Sequence, residues 1–466
     1  MLWLSIDRTL DVPLIRQVYE QIRTKILNGE LAAGECLPPT RELASNLGVS
    51  RNVILEAYEQ LLAEGYIETR PGSGTFVAEG AYLHQQEKTD SQSFLERQQI
   101  KEEINDIIDF RSGIPALNMF PRQKWGQMAK QVCAETAHSI LGYDNPEGRI
   151  ELRYVLSQYL KRTRGVECHP DQLVITSGAT QAFSLLAKLL LSPGDEVIVE
   201  DPITKEIQTI FSLSGAVICP VPVDEQGMKM DLLPSDRKPS FIFVTPSHQF
   251  PLGGTLPIQR RIQLIQFARK VDCYIVEDDY DSEFRHQGAP IHSLQGLDPN
   301  RVIYIGTFSK ILSPALRLGY LILPPALIKR CQDLKWFTDL HTPSLEQLTL
   351  ARFIDERHLE RHIRKMKKIY KARRDYVKKC LIEQFGDTVK IFGDSTGLHL
   401  VAEFQNIVFL DQVVNEIMKK HKVKIYPVEV HAIQKGIHQN KIILGYGNLT
   451  KEEIAEGIFR LRQALN

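Results

Sequence analysis

No stretch of this 466-residue chain approaches the ~20 consecutive apolar residues that a membrane-spanning helix requires. The opening Met1-Leu-Trp-Leu-Ser-Ile-Asp-Arg8 lacks the basic start and long apolar run of a secretory signal. Cysteine is sparse: there are seven, scattered, odd in number and without a Cys-x-x-Cys pair. Neither a disulfide framework nor a metal site is expected, and reduced thiols in the cytoplasm are. Net charge is absent as well. Lys plus Arg and Asp plus Glu both total 57, so no bulk attraction to nucleic acid exists. Within residues 12–78 acids even slightly outnumber bases, and any DNA contact there must come from a few placed groups. Internal repeats and low-complexity tracts are missing too. What remains is a globular composition, long enough for two or three domains.

Residues 14–27 carry Ile15, Val18, Tyr19, Ile22 and Ile26 on one helical face, and Gly29 and Gly34 break the pattern. Pro38-Pro39-Thr40 then opens a short helix over 41–47, with Thr40 as its expected cap. Gly48-Val49 makes a turn, and Ser50 is expected to cap a second helix with Ile54, Ala57, Tyr58, Leu61 and Leu62 on its buried face. This is a helix-turn-helix, whose second helix enters the major groove by its N-terminal end, where Arg51 and Asn52 stand. Tyr66-Ile-Glu-Thr69, a turn at Arg70-Pro-Gly-Ser-Gly74 and Thr75-Phe-Val77 read as a β-hairpin wing. The run from Leu37 through Asn52, with Ala57-Tyr58 and Glu64-Gly65, resembles the GntR-type winged-helix family over residues 12–78. The resemblance implies double-stranded DNA contacts from Arg41, Ser50, Arg51 and Asn52, and from the wing at Arg70 and Gly72. Residues 79–107 are polar with little periodicity and read as a tether.

From residue 108 to 466, short apolar runs alternate with helical patterns. Strands are expected at 173–176, 196–199, 216–221, 241–244, 274–276, 302–305 and 320–323. Such alternation predicts an α/β fold with a mostly parallel sheet, and ligands bind beyond the carboxyl ends of its strands. Polar motifs fall at those ends. Ser177-Gly-Ala-Thr-Gln181 opens a helix and forms an anion site of N–H groups and hydroxyls. Glu277-Asp-Asp-Tyr-Asp281 and Gly306-Thr-Phe-Ser-Lys310 close two other strands. Pyridoxal phosphate needs a lysine for its aldehyde, a carboxylate for its ring nitrogen, a phosphate cup and polar groups near its ring hydroxyl. Lys310 supplies the first and Asp278 the second. Ser177, Gly178, Ala179 and Thr180, with Thr307, Ser309 and Arg317, supply the cup, and Tyr280 with His248 and Gln249 the ring contacts. Residues from about 335 to 466 read as a smaller α+β lobe. The basic run from Arg361 to Lys371 has Ile363, Met366, Ile369 and Tyr370 on one side, a solvated helix face in preference to a second DNA contact.

Thr245-Pro-Ser-His-Gln-Phe-Pro-Leu-Gly253, Glu277-Asp-Asp-Tyr-Asp-Ser-Glu-Phe-Arg285, Gly306-Thr-Phe-Ser-Lys310 and Leu316-Arg-Leu-Gly-Tyr320 resemble the MocR/GabR family. There, a GntR-type reader is fused to a fold-type I aminotransferase-like domain. The resemblance implies pyridoxal phosphate on Lys310, Asp278 at its ring nitrogen and Tyr280 near its ring oxygen. It also implies a head-to-tail homodimer in which Tyr143 reaches the partner's phosphate site. Two features depart from the family: Thr204 stands where a ring-stacking aromatic is usual, and Glu206 and Val430 where carboxylate-binding arginines are usual. The expectation is a dimeric regulator that binds operator DNA and senses pyridoxal phosphate, an amine or an amino acid. The alternative is a working aminotransferase with an appended DNA-binding module.

Overall fold

The computed structural model describes residues 4–82, 106–234 and 236–465. The chain divides into two units, Met1–Asn105 and Asp106–Asn466. Most of the expected tether lies outside the described residues.

In the first unit, α1 (Leu14–Leu27), β1 (Cys36–Leu37), α2 (Thr40–Leu47), α3 (Arg51–Ala63), β2 (Ile67–Arg70) and β3 (Gly74–Val77) follow in order. The strands form an antiparallel sheet in the order β1-β3-β2. Apolar spacing of three and four puts Val18, Ile22 and Ile26 of α1 against Leu43 of α2 and Ile54, Ala57 and Leu61 of α3. The unit reaches further upstream than the sequence pattern indicates. The buried Gln17 donates to the carbonyls of Asp7 (2.8 Å) and Val12 (2.9 Å), tying the leading segment to α1. Both expected side-chain caps are absent. Thr40 is already helical, behind Pro39, and Ser50 occupies the cap position of α3 without a capping bond.

The second unit is built on an eight-stranded sheet. Its strands are β5 (Leu173–Thr176), β6 (Glu196–Asp201), β7 (Val217–Asp224), β8 (Gly227–Met228), β9 (Phe241–Val244), β10 (Tyr274–Asp279), β11 (Val302–Thr307) and β12 (Gly319–Ile322). They lie in the order β5-β12-β11-β10-β9-β6-β7-β8. Pairings among β11, β10, β9, β6 and β7 are parallel, while β12 runs antiparallel between β11 and β5. Side chains alternate between two buried faces. Val197, Val199, Phe241, Phe243, Ile303 and Ile305 pack on one side, and Ile198, Ile242, Val244, Ile275 and Val302 on the other. Burial on both faces explains their continuous apolar runs.

Helix α4 (Arg122–Glu135), α5 (Ile150–Arg164), α6 (Ala179–Leu190), α7 (Lys205–Leu213), α8 (Ile258–Val271), α9 (Ile328–Asp339) and α10 (Ser344–Asp355) belong to this larger lobe. The boundary differs from the expected residue 335. Leu350, Phe353 and Ile354 of α10 pack with Leu152 and Leu156 of α5. The smaller lobe takes its core from the long α11 (His358–Phe385), α12 (Asp411–His421) and α13 (Lys451–Ala464). Its strands β13 (Val389–Phe392), β14 (His399–Phe404), β16 (Tyr426–Pro427) and β17 (Lys441–Gly445) form an antiparallel sheet. Near the start of the unit, β4 (Ile108–Asp109) pairs with β15 (Val423–Lys424), and Phe110 enters the same core. Among the described residues no helix is long and apolar enough to cross a membrane.

Candidate functional site

Because β5, β6, β9, β10 and β11 share one direction, their carboxyl ends meet at one edge of the sheet. Ser177, the 245–250 loop, Tyr280 and Lys310 follow from those ends, and Asp201 closes β6. The acidic motif sits deeper than its sequence suggests. Strand β10 runs through Asp279, so Glu277, Asp278 and Asp279 are strand residues buried in the sheet, not loop residues beyond it.

Each buried carboxyl is handled differently. Asp279 pairs with the buried Arg164 guanidinium at 2.6 Å and accepts from the Tyr304 hydroxyl. Glu277 accepts the N–H groups of Leu294 and Gln295, both at 2.9 Å. Burial still pushes it up to about 7. Glu200 accepts from the Thr245 hydroxyl at 2.5 Å and, by burial, also rises to about 7. Asp278 differs in having no side-chain hydrogen bond among the described residues. Its Oδ1, like Asp279 Oδ1 and Glu200 Oε1, is buried without a partner, and burial followed by the charges of Asp279 and Asp281 pushes it up to about 8. A buried polar atom without a partner is costly. A cationic N–H donor placed there satisfies it, as the ring nitrogen of pyridoxal phosphate does when protonated.

Lys310 makes no hydrogen bond or ion pair within the described residues, and burial lowers its ammonium below the usual lysine value. Its Nζ lies 2.7 Å from where a side chain on Gly113 would begin, so the glycine leaves the amine clear. His248 is buried, with Nδ1 2.9 and 3.0 Å from the Asp281 oxygens and 3.0 Å from the Tyr280 hydroxyl. A carboxylate only accepts hydrogen bonds, so Nδ1 carries a proton toward Asp281. The Tyr280 oxygen shares that proton as an acceptor, which leaves the phenolic hydrogen free for a further acceptor. Gln249 is fully buried, and its amide bonds the main chain at Pro202, Phe250 and Leu252. His248, Asp281 and His399 also bring three ligating atoms within 4.8 Å of one another, a grouping that the spacing did not suggest. Hydrogen bonds already engage them, His399 through the Pro251 carbonyl at 3.0 Å.

The anion cup forms where β5 gives way to α6. Gly178 caps the helix at φ 89°, a conformation that glycine adopts without penalty. Arg317 donates to the Ser177 carbonyl at 2.7 Å, and a Cβ on Gly178 would meet its guanidinium at 3.0 Å. Ala179 and Thr180 begin the helix, whose N-terminal amides favour an anion. Thr307 Oγ1 donates to Ser309 Oγ at 3.0 Å and accepts its main-chain N–H at 3.2 Å. The unpartnered Asp278 oxygen, the clear lysine and the cradle at Gly178 therefore fit pyridoxal phosphate. Tyr143 is 82% exposed. Thr204 caps α7 through a 3.3 Å bond from Ile207 N–H, and the exposed Glu206 carboxylate has no partner among the described residues. Val430 is exposed.

In the first unit, Arg41, Ser50, Arg51 and Asn52 are exposed around the start of α2 and α3. Neither Arg41 nor Arg51 pairs with an acid among the described residues, so both charges are available. Arg70 is more constrained, lying 2.7 Å from Glu68 and over the Phe76 ring at 4.6 Å. Gly72 forms the wing tip at φ 76°, with nothing within 4 Å of an added Cβ.

Residues 14–77 match the model of the bacterial regulatory proteins of the gntR family, and residues 105–461 match aminotransferase class I and II. Over 464 residues the chain is 36% identical to the uncharacterized HTH-type transcriptional regulator YdeL of Bacillus subtilis, covering 98% of each. It is 35% identical to the probable rhizopine catabolism regulatory protein MocR of Rhizobium meliloti, covering 99% of this chain and 95% of that one. The chain belongs to the MocR family. The larger unit of this MocR-type chain is also similar to LysN, the α-aminoadipate aminotransferase of Thermus thermophilus, solved with N-(5'-phosphopyridoxyl)-L-leucine. That match has a TM-score of 0.72 at 27% identity and covers 78% of this chain and 94% of LysN. It fixes the fold-type I aminotransferase architecture.

Sequence reasoning passed over Arg164, Asp281, Glu200 and Gly113. Arg164 gives no local signal, because its partner Asp279 is 115 residues away. Glu200 had one: an acid ending an otherwise apolar strand run.

Proposed function

We propose that this chain is a transcriptional regulator that binds operator DNA as a head-to-tail homodimer and uses its aminotransferase-like unit as a pyridoxal phosphate-dependent sensor. The observation that carries this reading is one polypeptide holding two sites with free functional groups. Arg41 and Arg51 have no acidic partner among the described residues of the reader. Among the described residues, Lys310 and Asp278 have no hydrogen-bond or ion-pair partner in the cofactor site, and Asp278 Oδ1 is buried.

In this reading Arg41, Ser50, Arg51 and Asn52 contact the duplex, joined by the wing at Arg70 and Gly72. When bound, pyridoxal phosphate supplies an aldehyde that captures a primary amine and a ring that spreads charge. Lys310 anchors it, and Asp278 holds the proton on its ring nitrogen. Tyr280, oriented by His248 and Asp281, donates to its ring oxygen. Ser177 to Thr180, Thr307, Ser309 and Arg317 hold its phosphate, with the partner's Tyr143 closing the cup. Sensing is favoured over turnover by the charges near Lys310. Asp281 and Glu206 oppose the carboxylate of an incoming amino acid, while Arg111 acts on Lys310 in the opposite sense.

The test is binding of the full-length protein to its own upstream DNA, cofactor-free and reconstituted, with amino acids and amines as additives. A footprint or affinity that changes with cofactor alone makes the cofactor the signal; a change needing one amine makes that amine the effector. Identical binding in every condition overturns the sensor. Steady turnover of an amino acid with a keto acid would establish the enzyme instead.

A further inference from the structure

Away from the sheet edge, a cleft of about 530 Å³ opens between the start of α4 and the start of α11. Arg122, Lys124, Arg361 and Lys365 line it together with His358 and His362, and Phe120 and Phe353 form its apolar wall. No acid lines it. Glu356, nearby, is 3.7 Å from Lys124 and 3.2 Å from His358. Arg361 bonds the Glu356 carbonyl and His358 Nδ1, so its charge meets no carboxylate. Arg122 and Lys365 have no partner among the described residues. Two helices, of 14 and 28 residues, begin at this cleft, and neither has a side-chain cap. Their first-turn amides and dipoles add to the cationic field.

The placement links the cleft to the rest of the unit. Met119 packs on the smaller-lobe core and Phe120 on the larger-lobe core, while Ile363 touches both. The buried His362 bonds the carbonyl of Ile311, the residue after Lys310, at 3.1 Å. Its other ring nitrogen has no partner among the described residues.

We infer that this cleft is a second ligand site, separate from the cofactor cup, that takes a small phosphate-bearing molecule. A concave site with aromatic walls and converging guanidinium and ammonium groups suits a phosphate ester. A ligand there braces the seam between the lobes and bears on the Lys310 segment through His362. The site stands apart from the operator-switching reading and is testable without DNA.

The test uses full-length protein reconstituted with pyridoxal phosphate, so that the cofactor cup is filled, and titrates inorganic pyrophosphate by calorimetry in a buffer free of phosphate. Saturable binding is expected. Arg361→Ala/Lys365→Ala should weaken it about tenfold or more, as for loss of charge-assisted contacts, with the visible cofactor band unchanged. If the double variant loses that band, Lys365→Gln on the exposed helix face gives the same comparison. Absence of saturable binding, or equal binding by wild type and variant, overturns the proposal. So does a variant that weakens binding of a short non-operator duplex while pyrophosphate shows none, because the occupant is then DNA backbone.

Discussion

A carboxyl held up at about 8 by burial and by neighbouring acids is mostly protonated at neutral pH, and Asp278 is in that position. Its folded value lies above the usual 3.8, so above that pH the unfolded chain releases a proton that the folded chain retains. Stability of the cofactor-free protein is therefore lost as pH rises from about 4 through about 8, and Glu200 and Glu277 act in the same direction. Asp278→Asn should raise the thermal midpoint of cofactor-free protein at pH 8, with the gain shrinking toward pH 4. Melting curves across that range measure it. The same substitution should weaken pyridoxal phosphate binding by about 1.5–3 kcal/mol, the scale of a hydrogen bond to a charged group; an unchanged affinity would remove Asp278 from the cofactor site. Lys310→Ala should abolish the visible cofactor band while leaving operator binding by cofactor-free protein unchanged.

Elements position these side chains through their ends. Helix α3 buries Ile54, Ala57, Tyr58 and Leu61 and leaves Arg51 and Asn52 outward at its start, where a groove is read. Arg51→Ala should reduce operator affinity by about 1–3 kcal/mol if it contacts a base edge. If it contacts a phosphate, it should instead lower the salt slope by about 1 on every sequence. Either loss must leave the cofactor band intact. At the other site, the β5–α6 junction depends on Gly178. A Gly178→Ala side chain would be strained at φ 89° and would begin 3.0 Å from the Arg317 guanidinium. Pyridoxal phosphate titration should show weaker binding, with a stability loss of about 1 kcal/mol. Equal affinity would mean that the cup is formed elsewhere.

On the scale of the whole molecule, the dimer is the arrangement the proposal needs. Tyr143 is 82% exposed, and its ring contact among the described residues is with the edge of His341, at 6.3 Å between ring centres. Tyr143→Ala should therefore change thermal stability at low protein concentration by no more than about 0.5 kcal/mol. Cofactor affinity should nevertheless fall if the partner's Tyr143 closes the cup. Sedimentation should give the mass of two chains. A monomeric mass, or an affinity indifferent to Tyr143→Ala, would rule out the head-to-tail arrangement.

Much of this was legible in the chain because it depends on neighbours in sequence. Short continuous apolar runs marked the strands, period-3.6 spacing marked α1 and α3, and the polar motifs after the strands marked Lys310 and the 177–181 turn. These signals are local, since each follows from backbone geometry over a few residues. Other features required distant segments to meet. Asp279 has its charge partner in Arg164, and Asp278 is left without one, only because helix α5 and strand β10 are brought together by packing. The absence of a side-chain cap at Ser50, the antiparallel insertion of β12 and the entry of residues 108–110 into the smaller lobe are likewise products of tertiary packing. The sequence determined which elements form and which reactive side chains stand at their ends. Tertiary structure decided which of those groups are buried, paired or left free, because desolvation and pairing depend on everything folded around them.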